Sequence, residues 1–376
     1  MKLTTSGESH GKGLVAVLEG MPAGLNVDLA TIDAALALRQ SGYGRGARQR
    51  IENDHAEILT GVRNGVTLGS PVTLVVRNSD YANWEAVMAP EGCDVTQRRL
   101  TKVRPGHADL SGMKKYGHDD ARNVLERASA RETAARVAAG SVCRMLLSEL
   151  GVEIASYVRS VGRIVDYRHY AFDDIKEKRS PVLGMMNAEK EELAKQWIDG
   201  LKEAGDTCGG VVELRVKGLK SGFGSFATYS EKLDARLAAA LMSVQAIKGV
   251  EVGLGFEAAA RKGSVTHDEM FPSGTGVTRK TNYAGGIEGG MSNGEELILR
   301  AAMKPIPTLM RGLRTVDTLT GEAATAATER SDVCAIFACS IVLESALASE
   351  LCSVILERLG GDTVREIAAR YGELPL

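Results

Sequence analysis

The sequence predicts one large α+β domain over residues 1–376, and three observations carry that prediction. Strand-like alternation and helix-like periodicity recur in turn along the chain, the pattern of mixed α and β structure. No Pro/Ser-rich linker or low-complexity tract divides the chain, although its length could hold two ordinary domains. Forty-two glycines against 5% aromatic residues point to close backbone packing and many special turns.

The elements follow in order. A polar, glycine-punctuated turn, Leu3 to Gly13, holds His10 and leads into an apolar strand, Leu14 to Gly20. Asp28 is placed to cap a helix carrying Ile32, Ala35, Leu36 and Leu38 and ending near Gln40. Ser41 to Gly46 reads as a flexible loop, with short strands around Ala56–Leu59 and Val72–Val76. Residues 78–118 show little periodicity, and long irregular stretches of that kind are usually functional or disordered. Asp119 or Asp120 opens one long helix through Leu150. Strands are expected at Val152–Tyr157, Val161–Asp166, Val211–Val216 and Gly249–Gly253, and helices at Ala188–Glu203 and Glu231–Leu241. Ser331 caps a helix to Leu359 closed by Gly360-Gly361, and Thr363 to Glu366 has capping-box spacing for a last short helix.

Composition narrows the function classes. A formal charge of -2 gives no global basic field, which argues against nucleic acid as a partner. The six cysteines show no CxxC or paired spacing, so neither a disulfide framework nor a zinc site is expected. No apolar leader is visible at the N-terminus, and the apolar run Val333 to Leu343 is shorter than the roughly 20 residues a bilayer needs. The expectation is a cytoplasmic protein in a reducing compartment, with no membrane partner.

Local arginine density points instead to a small anionic ligand. Arg39, Arg45, Arg48 and Arg50 fall at a helix end and in the glycine loop after it, and guanidinium matches carboxylate and phosphate in bidentate fashion. Arg104-Pro105-Gly106-His107-Ala108-Asp109 fixes the backbone before a histidine that Asp109 could orient, which suits proton transfer near neutral pH. On a continuous helix Arg127 and Arg131 share one face at i, i+4, where like charges repel unless an anion lies between them; Glu132 is the simpler partner. Ala284 to Gly294 is rich in bare backbone but lacks G-x-G-x-x-G, and Lys304-Pro305-Ile306-Pro307-Thr308 is a rigid turn with a cation at its start. Arg330-Ser331-Asp332 stands at the start of the apolar C-terminal helix, either as plain capping or as an anion-facing group.

Taken in order, these segments resemble the chorismate synthase family over nearly the whole chain. The resemblance rests on Gly7 to Gly11, Arg104 to Asp109, Arg127 to Thr133, Gly205 to Gly210, Ala246 to Glu251, the glycine segment 285–294 and Arg330 to Asp332. Ala128 departs from the family pattern, which often has Ser there. The resemblance implies a β-α-β-α sandwich and a homotetramer. It implies anti-1,4-elimination of phosphate from 5-enolpyruvylshikimate 3-phosphate, giving chorismate with reduced FMN (FMNH2) and no net redox change. Residue by residue, it implies that Arg39 and Arg45, with Arg48, bind the substrate anions. His10 is the implied proton donor near the substrate phosphate. His107 is the implied protonating group for reduced flavin, and Asp332 the acid assisting a flavin nitrogen. It implies flavin contacts from Arg127, Ala128, Ser129, Gln245, Ala246, Gly289, Lys304, Pro305, Ile306, Pro307, Thr308 and Arg330. Two sources of electrons stay open, NADPH used by the protein itself or an external flavin reductase.

Overall fold

The first sheet forms because the N-terminal segment is a strand rather than a turn. In the computed structural model, which describes residues 1–46, 53–274, 276–326 and 331–374, β1 (Lys2–Gly7) pairs antiparallel with β2 (Gly13–Glu19), Gly7 facing Leu14. The turn before β2 is therefore confined to residues 8–12. Gly7 has φ +104°, and a Cβ there would lie 2.3 Å from the Gly13 carbonyl oxygen, so this tight reversal requires glycine. Helix α1 (Leu29–Gln40) starts where Asp28 accepts from the Ala30 and Thr31 N–H groups. Strands β3 (Ala56–Thr60) and β4 (Val72–Arg77) complete a four-stranded antiparallel sheet in the order β1-β2-β4-β3.

The segment read as irregular carries a short helix, Glu85–Met88, and α2 (Asp109–Tyr116). The single long helix expected from Asp119 or Asp120 is broken. It forms as α3 (Arg122–Ala128), a 3-10 turn at Ala130–Glu132, and α4 (Thr133–Glu149). Ser129 is the break: its backbone is extended, and its hydroxyl accepts from Arg131 N–H, trading helix continuation for a side-chain cap.

A second antiparallel sheet holds β5 (Glu153–Val161), β6 (Ile164–Val165), β7 (Gly210–Lys217), β8 (Ile247–Val252) and β9 (Leu297–Met303), in the order β8-β9-β7-β5-β6. The strand expected at Val161–Asp166 shrinks to two residues because the chain reverses at Gly162 and Ile164 pairs back on Val161. Helices α5 (Ala188–Glu203) and α6 (Leu233–Met242) match their sequence patterns. The last long helix, α7 (Ile336–Leu359), starts five residues beyond Ser331, so neither Ser331 nor Asp332 caps it. Thr363 and Glu366 do form a capping box on α8 (Val364–Glu373).

Four layers result, as the resemblance implies. The first sheet turns Leu14, Ala16, Leu18, Leu74 and Val76 inward onto the helical layer of α1, α4 and α7, and α7 packs in turn on β5 and β7 of the second sheet. On the far face of that sheet Ala155 and Tyr157 pack against Phe172 and Ile175 of the helix Phe172–Lys178. Helix α7 is long and apolar enough to cross a membrane by composition, but 89% of that stretch is buried in the core. Its one inner acid, Glu344, accepts from Arg144, Arg179 and Ser156 at 2.5–2.6 Å. Burial pushes this carboxyl up, yet the two guanidinium groups outweigh burial and leave it below the usual range.

Helices α4 and α7 cross where Gly140 meets Ser345. A Cβ at Gly140 would lie 2.4 Å from Ser345 Cβ and 2.6 Å from its Cα, so the approach is set by backbone rather than by a movable side-chain tip. Gly140→Ala is expected to lower stability by about 1–3 kcal/mol despite the better helix propensity of alanine. Thermal unfolding checks this: the melting temperature should drop, and an unchanged or higher one would contradict the close crossing.

Candidate functional site

The connections at the ends of these layers enclose a cavity of about 420 Å³, walled on one side by α7 residues Ala338, Cys339 and Val342. Into it converge the turn after β1, the loop after α1, the Arg104–Asp109 segment, the break at Ser129, the loop before β8 and the loop after β9.

The turn 8–12 is stitched at both ends. Asn78 donates to the Glu8 and Gly11 carbonyls at 3.0 and 2.8 Å, and Ser9 N–H donates to Glu126 O. The His10 N–H donates to Glu126 Oε2 at 2.8 Å, while Nδ1 lies 2.9 Å from both carboxylate oxygens. His10 thereby lines the cavity as the sequence suggests.

Gly106, at φ +79°, turns the chain so that Arg104, His107 and Asp109 meet. Arg104 donates to Asp109 through its backbone N–H, Nε and Nη2, and His107 Nδ1 lies 2.5 Å from Asp109 Oδ1. Burial alone would raise the Asp109 carboxyl, but the His107 and Arg104 bonds outweigh it and hold the group far below its ordinary value. Lys304 closes this corner by donating to the Gly106 carbonyl, and Thr308 Oγ1 accepts from Arg104 at 3.3 Å.

The opposite corner is cationic. Arg39 donates to Thr133 Oγ1, the Ala130 carbonyl and Asp54 Oδ2 at 2.9–3.2 Å. Burial pulls its guanidinium down to about 10 even with Asp54 alongside. Arg131 grips the same carboxylate at 2.6 and 2.7 Å and donates to Asn78 Oδ1 at 2.9 Å. Arg45 pairs with Asp332 at 3.1 Å, and Gly46 N–H donates to the other oxygen of Asp332 at 2.6 Å. Asp332 is thus placed by the loop after α1, not by a helix dipole.

Among the described residues, two buried polar atoms on this cavity's lining lack a protein partner: Arg45 Nε and Gln245 Oε1. The amide side of Gln245 donates to Glu132, so its oxygen is fixed while unsatisfied. Beside it Ala246 holds φ +71°, a strained conformation for a residue with a side chain and one that clusters at ligand sites. One donor and one acceptor held without partners among the described residues, together with the small Ala128, Ala130 and Ala246 in the wall, fit a polar, anionic, flat ligand such as a flavin beside a phosphorylated acid.

The structure thus brings His10, His107, Asp332, Arg39, Arg45, Ala128, Ser129, Gln245, Ala246, Lys304, Ile306, Pro307 and Thr308 to one cavity. Three predicted positions do not line it. Arg127 points back to the Thr5 and Gly7 carbonyls and buttresses β1, because the break at Ser129 takes it off the face of Arg131. Gly289 sits in a separate hairpin turn, Ile287–Glu288 to Met291–Ser292, and Pro305 spaces Lys304 from Ile306 without lining the cavity. Arg48 and Arg330 lie outside the described residues. Sequence reasoning missed Arg104, Asp54 and Glu126 as site components; only Arg104 carried a signal, its place in the Pro-Gly-His turn. Among the described residues no cluster of metal-ligating side chains occurs.

Comparison with known proteins gives one answer. A family profile described as chorismate synthase matches residues 1–356. Chorismate synthase from Geobacter sulfurreducens is 51% identical over 382 aligned positions, covering 99% of this chain and 97% of that protein. The Mycolicibacterium smegmatis chorismate synthase is 51% identical, covering 98% and 95%. A crystal structure of chorismate synthase superposes with a TM-score of 0.78 at 40% identity, covering 99% of this chain and 96% of that one.

Two outcomes test this geometry. Asp54 is buried beneath two guanidinium groups, so Asp54→Ala should cost about 3–5 kcal/mol in urea unfolding. A loss below about 1 kcal/mol would show that the two arginines do not depend on it. Asp109, Glu126, Glu132 and Glu344 are all held below their ordinary values. Their pairing therefore stabilises the fold fully above the unfolded-chain values of 3.8–4.5 and is lost as pH falls through the lower folded ones. The urea midpoint should decline steadily from about pH 5 downward; a flat profile to pH 3 would contradict these pairings.

Proposed function

The chain belongs to the chorismate synthase family, and from that premise we propose that it converts 5-enolpyruvylshikimate 3-phosphate to chorismate and phosphate in the cavity described above. The observation that carries this reading is the convergence of two histidines, one acid and four arginines on one cavity with fixed, unsatisfied polar atoms. The substrate's phosphate and two carboxylates need compensating cations once taken from water. Arg39, Arg45 and Arg131, already oriented by Asp54 and Asp332, supply them.

His10 delivers a proton toward the departing phosphate, lowering the charge that develops on the leaving oxygen. Gln245, Ala246, Lys304 and Thr308 would hold reduced FMN beside His107, and Asp332 faces the same cavity from the Arg45 corner. When bound, reduced FMN would supply an electron-rich ring against the substrate, in a reaction with no net redox change. His107, kept in place by Asp109, maintains the protonation of that ring, and Asp332 assists transfer of the substrate proton. Arg48 and Arg330 keep their proposed roles toward substrate and flavin. The α7 wall excludes water from one side of the reacting centre.

We further propose a cytoplasmic location and assembly as a homotetramer, the assembly supported by apolar side chains left exposed on the hairpin Met270–Ser273 and Gly276–Arg279, among them Met270, Phe271 and Val277. A simple binding protein that uses the same arginines without turnover is the competing reading, and catalysis separates the two.

Under anaerobic conditions the protein with dithionite-reduced FMN should form chorismate, and oxidised FMN alone should not support turnover. Recovery of unchanged substrate under full reduction would leave only binding. His107→Ala and Asp332→Asn should each lower kcat by about 10²–10⁴-fold with the fold intact by circular dichroism. Near-normal rates in both would remove their assigned roles. Turnover with oxidised FMN and NADPH, with no added reductase, identifies a protein that reduces its own flavin; its absence points to an external reductase.

A further inference from the structure

The His10 ring is held more tightly than a surface turn requires. Its face stacks on Trp84, centroids 3.8 Å apart and planes inclined by 26°. Arg98 lies over the Trp84 ring at 4.0 Å and Arg122 at 4.8 Å, and Trp84 Nε1 donates to Asp80 at 2.9 Å. Trp84 is therefore fixed before it supports the histidine. At the ring edge Nδ1 meets both oxygens of Glu126, which is buried and anchored by Arg122 Nη1 at 2.9 Å. Burial would raise the Glu126 carboxyl, but the His10 bonds and the Arg122 charge outweigh it, so the group stands as a carboxylate. His10 Nε2 has no hydrogen-bond partner among the described residues, and the His10 side chain is 13% exposed at the cavity.

We propose that Glu126, with Trp84 behind it, is the positioning residue for His10. It holds hydrogen on Nδ1 and fixes the ring so that Nε2 is the nitrogen presented to the cavity. This inference rests on the proposed role of His10 as proton donor to the phosphate. The physical reason is that a carboxylate can only accept. It selects the Nδ1–H form of a neutral imidazole and stabilises the positive charge of the protonated one. A proton on Nε2 can then leave toward the phosphate while Nδ1 stays bonded. An amide at the same place would donate to Nδ1 and move the remaining hydrogen to Nε2, leaving a neutral ring that is a far weaker acid. A carboxylate-to-amide change behind a catalytic histidine produces a wrong tautomer worth up to about 10⁴-fold in kcat in the serine-protease triad. Ring stacking supplies the second restraint, against rotation out of the plane set by Glu126.

The test compares Glu126→Gln with the wild-type protein by ¹⁵N spectroscopy of the His10 imidazole at alkaline pH, and by steady-state kinetics with reduced FMN. The expected result is an Nδ1–H ring in the wild type and an Nε2–H ring in Glu126→Gln. Turnover should fall about 10²–10⁴-fold while KM changes less than about threefold. A merely structural staple would leave the tautomer unchanged. An unchanged tautomer, or wild-type turnover in Glu126→Gln, overturns the proposal. Should that variant fail to fold, Trp84→Leu and Trp84→Phe decide: Phe keeps a ring under His10 and should restore most of the turnover lost in Leu. Equal rates in the two overturn the positioning role. The tautomer measurement needs no turnover, so failure of the wild type to form chorismate would count against the proposed function alone.

Discussion

Guanidinium groups gathered around one cavity repel each other, and each here is held by a carboxylate of its own chain. Arg39 and Arg131 share Asp54, Arg45 takes Asp332, and Arg104 takes Asp109. Without those partners the cluster would place uncompensated charge in a largely buried region, at several kcal/mol per ion. With them the cations keep fixed directions and leave donor capacity for a ligand, as Arg45 Nε shows by having no partner among the described residues. Each carboxylate also links segments far apart in sequence: Asp332 holds the loop after α1, and Asp54 ties α1 to the break between α3 and α4. The electrostatic arrangement therefore also fixes the chain trace around the site.

The layers serve this arrangement by rigidity. Gly140 lets α4 and α7 approach until backbone meets side-chain base, and α7 presents small residues, Ala338 and Cys339, to the cavity. Glu344, locked by Arg144, Arg179 and Ser156, fixes α7 along its axis. A helix so held cannot drift to fill the cavity, which suits a preformed ligand site.

The elements legible in sequence were those whose signal is local. Asp28 capping α1, the Thr363–Glu366 capping box and the alternation at Val211–Val216 each depend on residues a few positions apart. So did the Pro-Gly turn before His107. The misread elements depended on distant partners. The break at Ser129 sends Arg127 to β1 and Arg131 to Asp54, and those distant partners hold a division that no local propensity encodes. Asp332 reads as a helix cap from its neighbours, yet its bonds run to Arg45 and Gly46, 286 positions from the latter. Glu126 carried no signal because its significance lies in His10, 116 positions away. The glycine segment was legible as special backbone, but Gly289 serves its own hairpin rather than the cavity.

In the proposed reaction one cavity receives both an anionic substrate and a flavin, with the phosphate facing His10. An experimental structure of the protein with FMN and 5-enolpyruvylshikimate 3-phosphate, obtained under oxidising conditions to prevent turnover, tests it most directly. The substrate phosphate should lie within hydrogen-bond distance of His10 Nε2 and an arginine, and the flavin ring against Gln245 and Ala246 with His107 at its edge. Either ligand bound outside this cavity, or a phosphate directed away from His10, would contradict it.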